Sequence, residues 1–310
     1  MITILLNLLI KIALLILLGY VLCRMGYMSE DFQKSLTFFM MNVACPASLL
    51  TTAGNTFDPS ESSSLVIIFV AGILFHLAAL AIARPISRRL PLTPREQDAY
   101  VVMSVFSNTA YVGFPLALEL MGSLGLLYAV IFNLAWVLMF FSIGISIFSG
   151  KGTFDLKGVL KMPVTLMSVV SILIYVSPLR ITGVLLDTLN SVGAMVVPIC
   201  MMLIGCSLVN VSPLDILRSG KSWMVAALKL FIFPLLMLLA MWLIPGIPNN
   251  VKLACCLMSC LPSGSLSVVL ARQYGCNPVY CSQTVVQSTL LMIVTIPVYL
   301  GFASSLFPVI

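Results

Sequence analysis

Two stretches of small polar residues and prolines interrupt apolar runs of the chain. They are Ser107-Asn108-Thr109-Ala110-Tyr111-Val112-Gly113-Phe114-Pro115 and Cys260-Leu261-Pro262-Ser263-Gly264-Ser265-Leu266-Ser267. Proline removes an amide donor and clashes with the preceding turn, and glycine loosens the backbone, so a helix breaks at each stretch. Amides freed at such a break carry partial positive charge, which suits an anionic group. Asn108 adds a carboxamide that donates two hydrogen bonds and stays neutral at every working pH.

Little else in the sequence offers reactive chemistry. There is one histidine, His76, and no His-Glu-x-x-His motif, so a zinc ligand set is not expected and an intramembrane protease is disfavoured. Acidic residues fall in loops or near the ends of apolar runs, which disfavours a proton antiporter built on a buried aspartate pair. The nine cysteines are odd in number, and seven of them (Cys23, Cys45, Cys200, Cys206, Cys255, Cys256 and Cys260) sit in apolar runs, where they read as small packing residues. No enzyme activity, metal or cofactor is expected.

The elements that must position these residues follow from composition. Of 310 residues, 61% are hydrophobic and 8% are charged, against about 45–50% and about 25% in soluble domains. Sixteen basic and ten acidic residues cannot cover a soluble fold of this length. The composition excludes an added soluble domain, a nucleic-acid-binding module and a disordered tail. It implies an all-α polytopic membrane protein. Apolar segments fall at 3–23, 35–54, 64–86, 98–121, 124–148, 158–177, 182–209, 221–244, 250–272 and 280–306, giving ten expected spans. The stretch from Met1 to Arg24 has no basic leader and no small-residue cleavage site, so it is expected to stay as the first span. The link at Gly122 to Gly125 is short enough to make spans four and five antiparallel neighbours.

Basic residues set the orientation. Loops after the odd-numbered spans carry twelve (Arg24, Lys34, Arg84, Arg88, Arg89, Arg95, Lys151, Lys157, Lys161, Arg218, Lys221 and Arg272), while the opposite loops carry Arg180 and Lys252. By the positive-inside rule both termini lie outside the cytoplasm. Cys276 and Cys281 then face a reducing compartment.

The halves of the chain echo one another at a near-constant offset. Pro46 meets Pro198 after 152 residues, Asn108-Thr109 meets Pro262-Ser263-Gly264 after about 154, and Phe132–Gly144 meets Val285–Pro297 after 153. Five spans per half place the second half in the membrane upside down relative to the first. The expected organisation is a first repeat over residues 1–149, a short cytoplasmic linker at 150–157, and a second repeat over 158–310. Broken helices at matching places, in spans four and nine, point to a binding site where they cross, because irregular backbone at membrane depth is tolerated only against protein or a water-filled cavity. A pair of ordinary proline kinks is the alternative.

The run Asn108-Thr109-x-x-x-Gly113-x-Pro115-Leu116 resembles the span-four signature of the auxin efflux carrier family, which includes PIN-type auxin carriers and bacterial malate and malonate permeases. Asn42-x-x-x-Pro46, Leu261-Pro262-x-Gly264, and Ser288-Thr289 followed by Thr295-Ile296-Pro297 are similar to further family patterns. The resemblance covers all ten spans. It implies two inverted five-helix units like those of bile-acid sodium symporters, and carriage of organic carboxylates by a transport unit that moves against a scaffold. It places the substrate on Asn108, Pro115 and Pro262, with Thr109, Gly113, Ser263, Gly264 and Asn42 beside them. The long central loop of many plant members is missing here.

Three ionisable groups sit inside apolar runs, where they are costly and often functional. His76 is a proton-relay candidate or a neutral histidine bonded to a neighbouring helix. Lys11 attracts an anion, pairs with an acid, snorkels, or bonds carbonyls. Lys229 lies nearer the cytoplasmic end of its span and reads as a snorkelling residue. Glu119, near the outer end of span four, joins His76 and Lys11 as a candidate for coupling. The expectation is a secondary transporter of mono- or dicarboxylates in a bacterial plasma membrane, working by alternating access. Proton and sodium coupling are both open, as is a homodimer. A sodium-coupled organic-anion symporter on the same fold and a carboxylate-binding membrane sensor are the rivals. The partners expected are a small carboxylate and the lipid bilayer, with no nucleic acid.

Overall fold

The computed structural model describes residues 2–51, 61–150, 163–177, 179–209 and 220–308. Residues 151–157 of the expected linker, together with Asp58, Lys161, Asp215 and Arg218, lie outside the described residues. The structure is all helical. Among the described residues there is no strand, and one isolated antiparallel bridge joins Ser107 to Ser263.

The helices run in chain order as α1 (Ile2–Arg24), α2 (Glu30–Phe39), α3 (Cys45–Thr51), α4 (Glu61–Arg89), α5 (Pro94–Val105), α6 (Phe114–Met139), α7 (Ile145–Ser149), α8 (Pro163–Val176), α9 (Gly183–Gly193), α10 (Val196–Ser207), α11 (Gly220–Ala227), α12 (Phe233–Leu243), α13 (Asn249–Ser259), α14 (Leu266–Gln273) and α15 (Pro278–Leu306). Among the described residues, four π-helical turns join neighbouring helices, at Met40–Ala44, Thr109–Gly113, Phe140–Gly144 and Leu228–Ile232. Among the described residues, five stretches are long and apolar enough to cross a membrane: Glu61–Arg89, Thr109–Ser149, Gly183–Cys206, Gly220–Leu243 and Pro278–Leu306.

Proline explains three of the π turns. Pro46, Pro115 and Pro234 each stand two residues beyond a π turn, so the carbonyl four residues earlier belongs to that turn. A proline ring clashes with that carbonyl and offers it no N–H, and the wider π turn relieves both problems. At Pro115 the freed carbonyl is that of Tyr111, and it accepts from the Cys200 thiol. The packing cysteine expected at position 200 thus also closes a backbone account.

A glycine divides the longest apolar stretch. Thr109–Ser149 has 41 residues, and one straight helix of that length would be about 62 Å long, twice the hydrocarbon core. Gly122 departs from helical backbone (φ 66°, ψ −158°) inside α6. That positive φ suits glycine and strains other residues.

The chain forms two compact units, and each draws on both halves of the sequence. Unit 1 comprises Met1–Leu65, Ala110–Ile131 and Lys157–Asn210; unit 2 comprises Val66–Thr109, Phe132–Leu156 and Val211–Ile310. In unit 1, α1 packs along α10 with no room for side chains at two glycines. A Cβ at Gly19 would collide with the Met202 backbone, and one at Gly205 with the Ile16 carbonyl. Small residues let membrane helices approach this closely. Unit 2 is built around an aromatic cluster. Trp136 stacks on Phe140 at 4.6 Å, Phe140 meets Phe106 edge-on at 5.0 Å, and Phe106 stacks with the His76 ring at 5.7 Å.

Candidate functional site

Local sequence ends the helices of unit 2 where the two polar stretches begin. α5 starts from a capping box: the Glu96 amide donates to the Thr93 hydroxyl, and the Thr93 amide donates to the Glu96 carboxylate. It stops at Phe106, whose backbone is extended (φ −93°, ψ 113°). Helix resumes only at Thr109. α13 likewise stops at Ser259, and α14 begins at Leu266. Between them Pro262 contributes no N–H to any helical ladder.

The two interruptions pair with each other. The Asn108 amide donates to the Pro262 carbonyl at 2.8 Å, and the Gly264 amide donates to the Phe106 carbonyl at 3.1 Å. Gly264 suits this approach because an added Cβ would stand 3.3 Å from the Ser107 carbonyl oxygen, tighter than an ordinary contact. Side chains complete the pairing. The Ser263 hydroxyl donates to the Met103 carbonyl at 2.8 Å, the Ser263 amide donates to the Ser288 hydroxyl at 3.1 Å, and Ser288 donates to the Thr284 carbonyl at 2.8 Å. The Thr109 hydroxyl donates to the Asn133 carboxamide oxygen at 2.6 Å.

A helix ending inside protein must satisfy its last carbonyls. At the end of α5 the Val102 carbonyl accepts from the Phe106 amide at 3.0 Å, Met103 from Ser263, and Ser104 from the Lys229 ammonium at 3.0 Å. Lys229 is only 1% exposed. Its place corrects the snorkelling expectation: the ammonium does not run to an interface but caps a helix carbonyl in the interior, where the negative end of the helix dipole favours a cation.

The expected site residues therefore divide. Asn108, Thr109, Pro262, Ser263 and Gly264 belong to unit 2, and Asn108, Pro262, Ser263 and Gly264 are joined in the paired interruption. The hydroxyl protons of Thr109 and Ser263 are directed at protein acceptors. The Asn108 carboxamide is different: it is half-buried and makes no hydrogen bond among the described residues. His76 is fully buried in the same unit, but its Nδ1 donates to Gly72 of its own helix at 2.6 Å, not to a neighbouring helix. With Nδ1 donating to a carbonyl, Nε2 carries the lone pair, and it has no partner among the described residues.

Gly113, Pro115, Asn42, Lys11 and Glu119 belong to unit 1. There Lys11 pairs with Glu119 at 2.6 Å, one of the alternatives open from sequence. Asn42 donates to the Phe38 carbonyl at 2.8 Å and lines a cavity of about 670 Å³ with Glu30, Gln33, Lys34, Thr37 and Tyr111. In unit 2 a cavity of about 650 Å³ lies at Thr93, Arg95, Glu96 and Gly275–Pro278. Beside it the Lys221 ammonium donates to Glu96 at 2.9 Å and, with the Thr93 amide, holds that carboxyl below the usual carboxylate range.

Two participants escape sequence reasoning. Asn133 has a faint signal, as a lone amide within the apolar run Phe132-Asn133-Leu134. The carbonyls of Met103, Ser104 and Phe106 have none, because backbone groups are the same in every residue.

Comparison with known proteins places this geometry in context. The sequence matches the family model described as a membrane transport protein over residues 4–157 and 152–300. It is similar to an uncharacterized transporter of Methanothermobacter thermautotrophicus, with 27% identity over 297 residues that cover 94% of this chain and 95% of the relative. A second uncharacterized transporter, from Methanocaldococcus jannaschii, is 26% identical over 279 residues, 85% of this chain and 87% of its own.

Proposed function

The chain belongs to the membrane transport protein family, the auxin efflux carriers, and on that premise we propose that it carries a small mono- or dicarboxylate through the membrane by alternating access. The observation that carries the proposal is the Asn108 carboxamide, which makes no hydrogen bond among the described residues and stands at the place where two helix interruptions pair in unit 2. A carboxylate seated there takes hydrogen bonds from the Asn108 NH₂ group. It also meets the first amide of α14, that of Leu266, and the first amide of the π turn, that of Thr109, which have no acceptor within their own helices; the next two amides of α14, at Ser267 and Val268, are taken by the Gly264 and Ser265 carbonyls. The pairing of residues 106–108 with 262–264 acts as the crossover of two broken helices, and the ten spans as two inverted repeats of five. Both termini face away from the cytoplasm, following the basic-residue bias.

The test is Asn108→Ala, purified and reconstituted in liposomes. Loss of one hydrogen bond to a charged ligand costs about 1.5–3 kcal/mol. Carboxylate affinity is therefore expected to fall roughly 10- to 150-fold, with the protein still folded and inserted. Asn108→Asp is expected to bind still more weakly, because like charges repel. Normal binding and flux in Asn108→Ala would remove the anion from this position.

A further inference from the structure

Lys229 stands out among the charged residues of unit 2. It is 1% exposed, lies in the π turn Leu228–Ile232, and donates to the Ser104 carbonyl. Ion pairs account for Lys11, Lys34, Arg84 and Lys221, each with a carboxylate, but no carboxylate pairs with Lys229 among the described residues. Lys252, the other buried lysine, lies over the Phe307 ring.

A buried ammonium without a counter-ion is costly. Capping one carbonyl does not require it, since at the neighbouring residue Met103 a serine hydroxyl does the same work. A lysine here in place of a neutral donor implies a use for its charge. Its position names the use. Ser104 lies in the last turn of α5, directly before the interruption that carries Asn108. A negative ligand arriving at the interruption meets the carbonyl end of α5, which repels it. Lys229 offsets that end of the helix and leaves a net positive field where an anion binds.

We propose that Lys229 is the resident cation of this site: a positioning residue that holds the end of α5 and balances the charge of a bound anion without touching it. This rests on the carboxylate reading of the paired interruption. It goes further in making binding independent of a sodium ion, because the compensating charge is already built into the chain.

Two measurements judge it. The first needs no anion. Lys229→Ala leaves space for the lost side chain, and n-propylammonium chloride, compared with choline chloride, is expected to raise the melting temperature of that variant by at least about 2 °C. The unmodified protein should show no such rise. The absence of rescue would overturn the proposal. The second separates charge from packing. Lys229→Met removes the desolvation cost of an unpaired buried charge but leaves the Ser104 carbonyl without its donor, so it is expected to melt within about 5 °C of the unmodified temperature. Its affinity for the acids bound from a panel of acetate, malonate, malate and indole-3-acetate should fall about 10- to 100-fold, and Lys229→Arg should recover part of the loss. The unmodified protein should bind equally in sodium and in choline buffers. Affinity within twofold in Lys229→Met, or binding that requires sodium, would sink the resident cation. If the unmodified protein binds none of the four acids, the carboxylate reading fails instead, and the ammonium rescue still judges Lys229.

Discussion

Lys11 and Lys229 both lie within apolar helical stretches, and the two units handle them in opposite ways. In unit 1, Lys11 keeps 54% of its side-chain surface exposed and meets the Glu119 carboxylate, itself 22% exposed. In unit 2, Lys229 is buried and, among the described residues, meets a backbone carbonyl and no carboxylate. The contrast runs through both units. Unit 1 closes α1 on α10 by direct approach of backbone at Gly19 and Gly205. Unit 2 opens its helices at two places and ties the loose ends together with hydroxyls, amides and one ammonium. A paired charge is offset by its partner, here the Glu119 carboxylate. An unpaired buried one is costly, and persists where its field is used.

The largest effect expected is in the glycine seam. A Cβ at Gly205 would run into the Ile16 carbonyl and the Tyr20 amide, which are backbone atoms that cannot swing aside. Gly205→Val should cost about 3 kcal/mol or more, read as a fall in melting temperature in detergent. Carboxylate affinity of the protein that remains folded should be unchanged, since the proposed site lies in unit 2. A fully stable Gly205→Val would show that the seam is looser than drawn, and lost affinity would show that the units do not divide the labour.

Ser263→Ala probes the opposite style of construction. It removes the donor to the Met103 carbonyl and leaves the Ser263 amide on Ser288 in place. The expected cost is about 1–1.5 kcal/mol of stability, with a smaller loss of anion affinity than in Asn108→Ala. An affinity loss as large as that of Asn108→Ala would make the Ser263 hydroxyl a ligand group and not a strut.

The smallest effect should come from the ion pair of unit 1. A double-mutant cycle of Lys11→Met and Glu119→Gln is expected to give a coupling of about 0.6 kcal/mol, as for polar contacts between membrane helices, because the separated groups find other partners. Coupling well beyond that would place the pair in a drier setting than its exposure implies, and would erase the contrast with Lys229.

Composition and spacing alone determined a large part of this protein. With 61% hydrophobic residues, an integral membrane fold of helices was required. Proline and glycine at Pro115, Pro262 and Gly264 marked where helices must break, because those residues cannot continue a ladder of hydrogen bonds without relief. The motif at Asn108–Leu116 carried the family. Tertiary structure decided what the polar groups do. Hydropathy places Lys229 within span eight whether it snorkels or turns inward, and only its contact with Ser104, 125 residues away in sequence, settles that it turns inward. The same holds for Thr109 and Ser263, which look like free hydroxyls in the sequence and prove to be tied to Asn133 and Met103. It holds for His76, whose bond runs within its own helix. A side chain's partner is fixed by which elements approach it, and its acceptors here are mostly backbone carbonyls, which leave no trace in residue type.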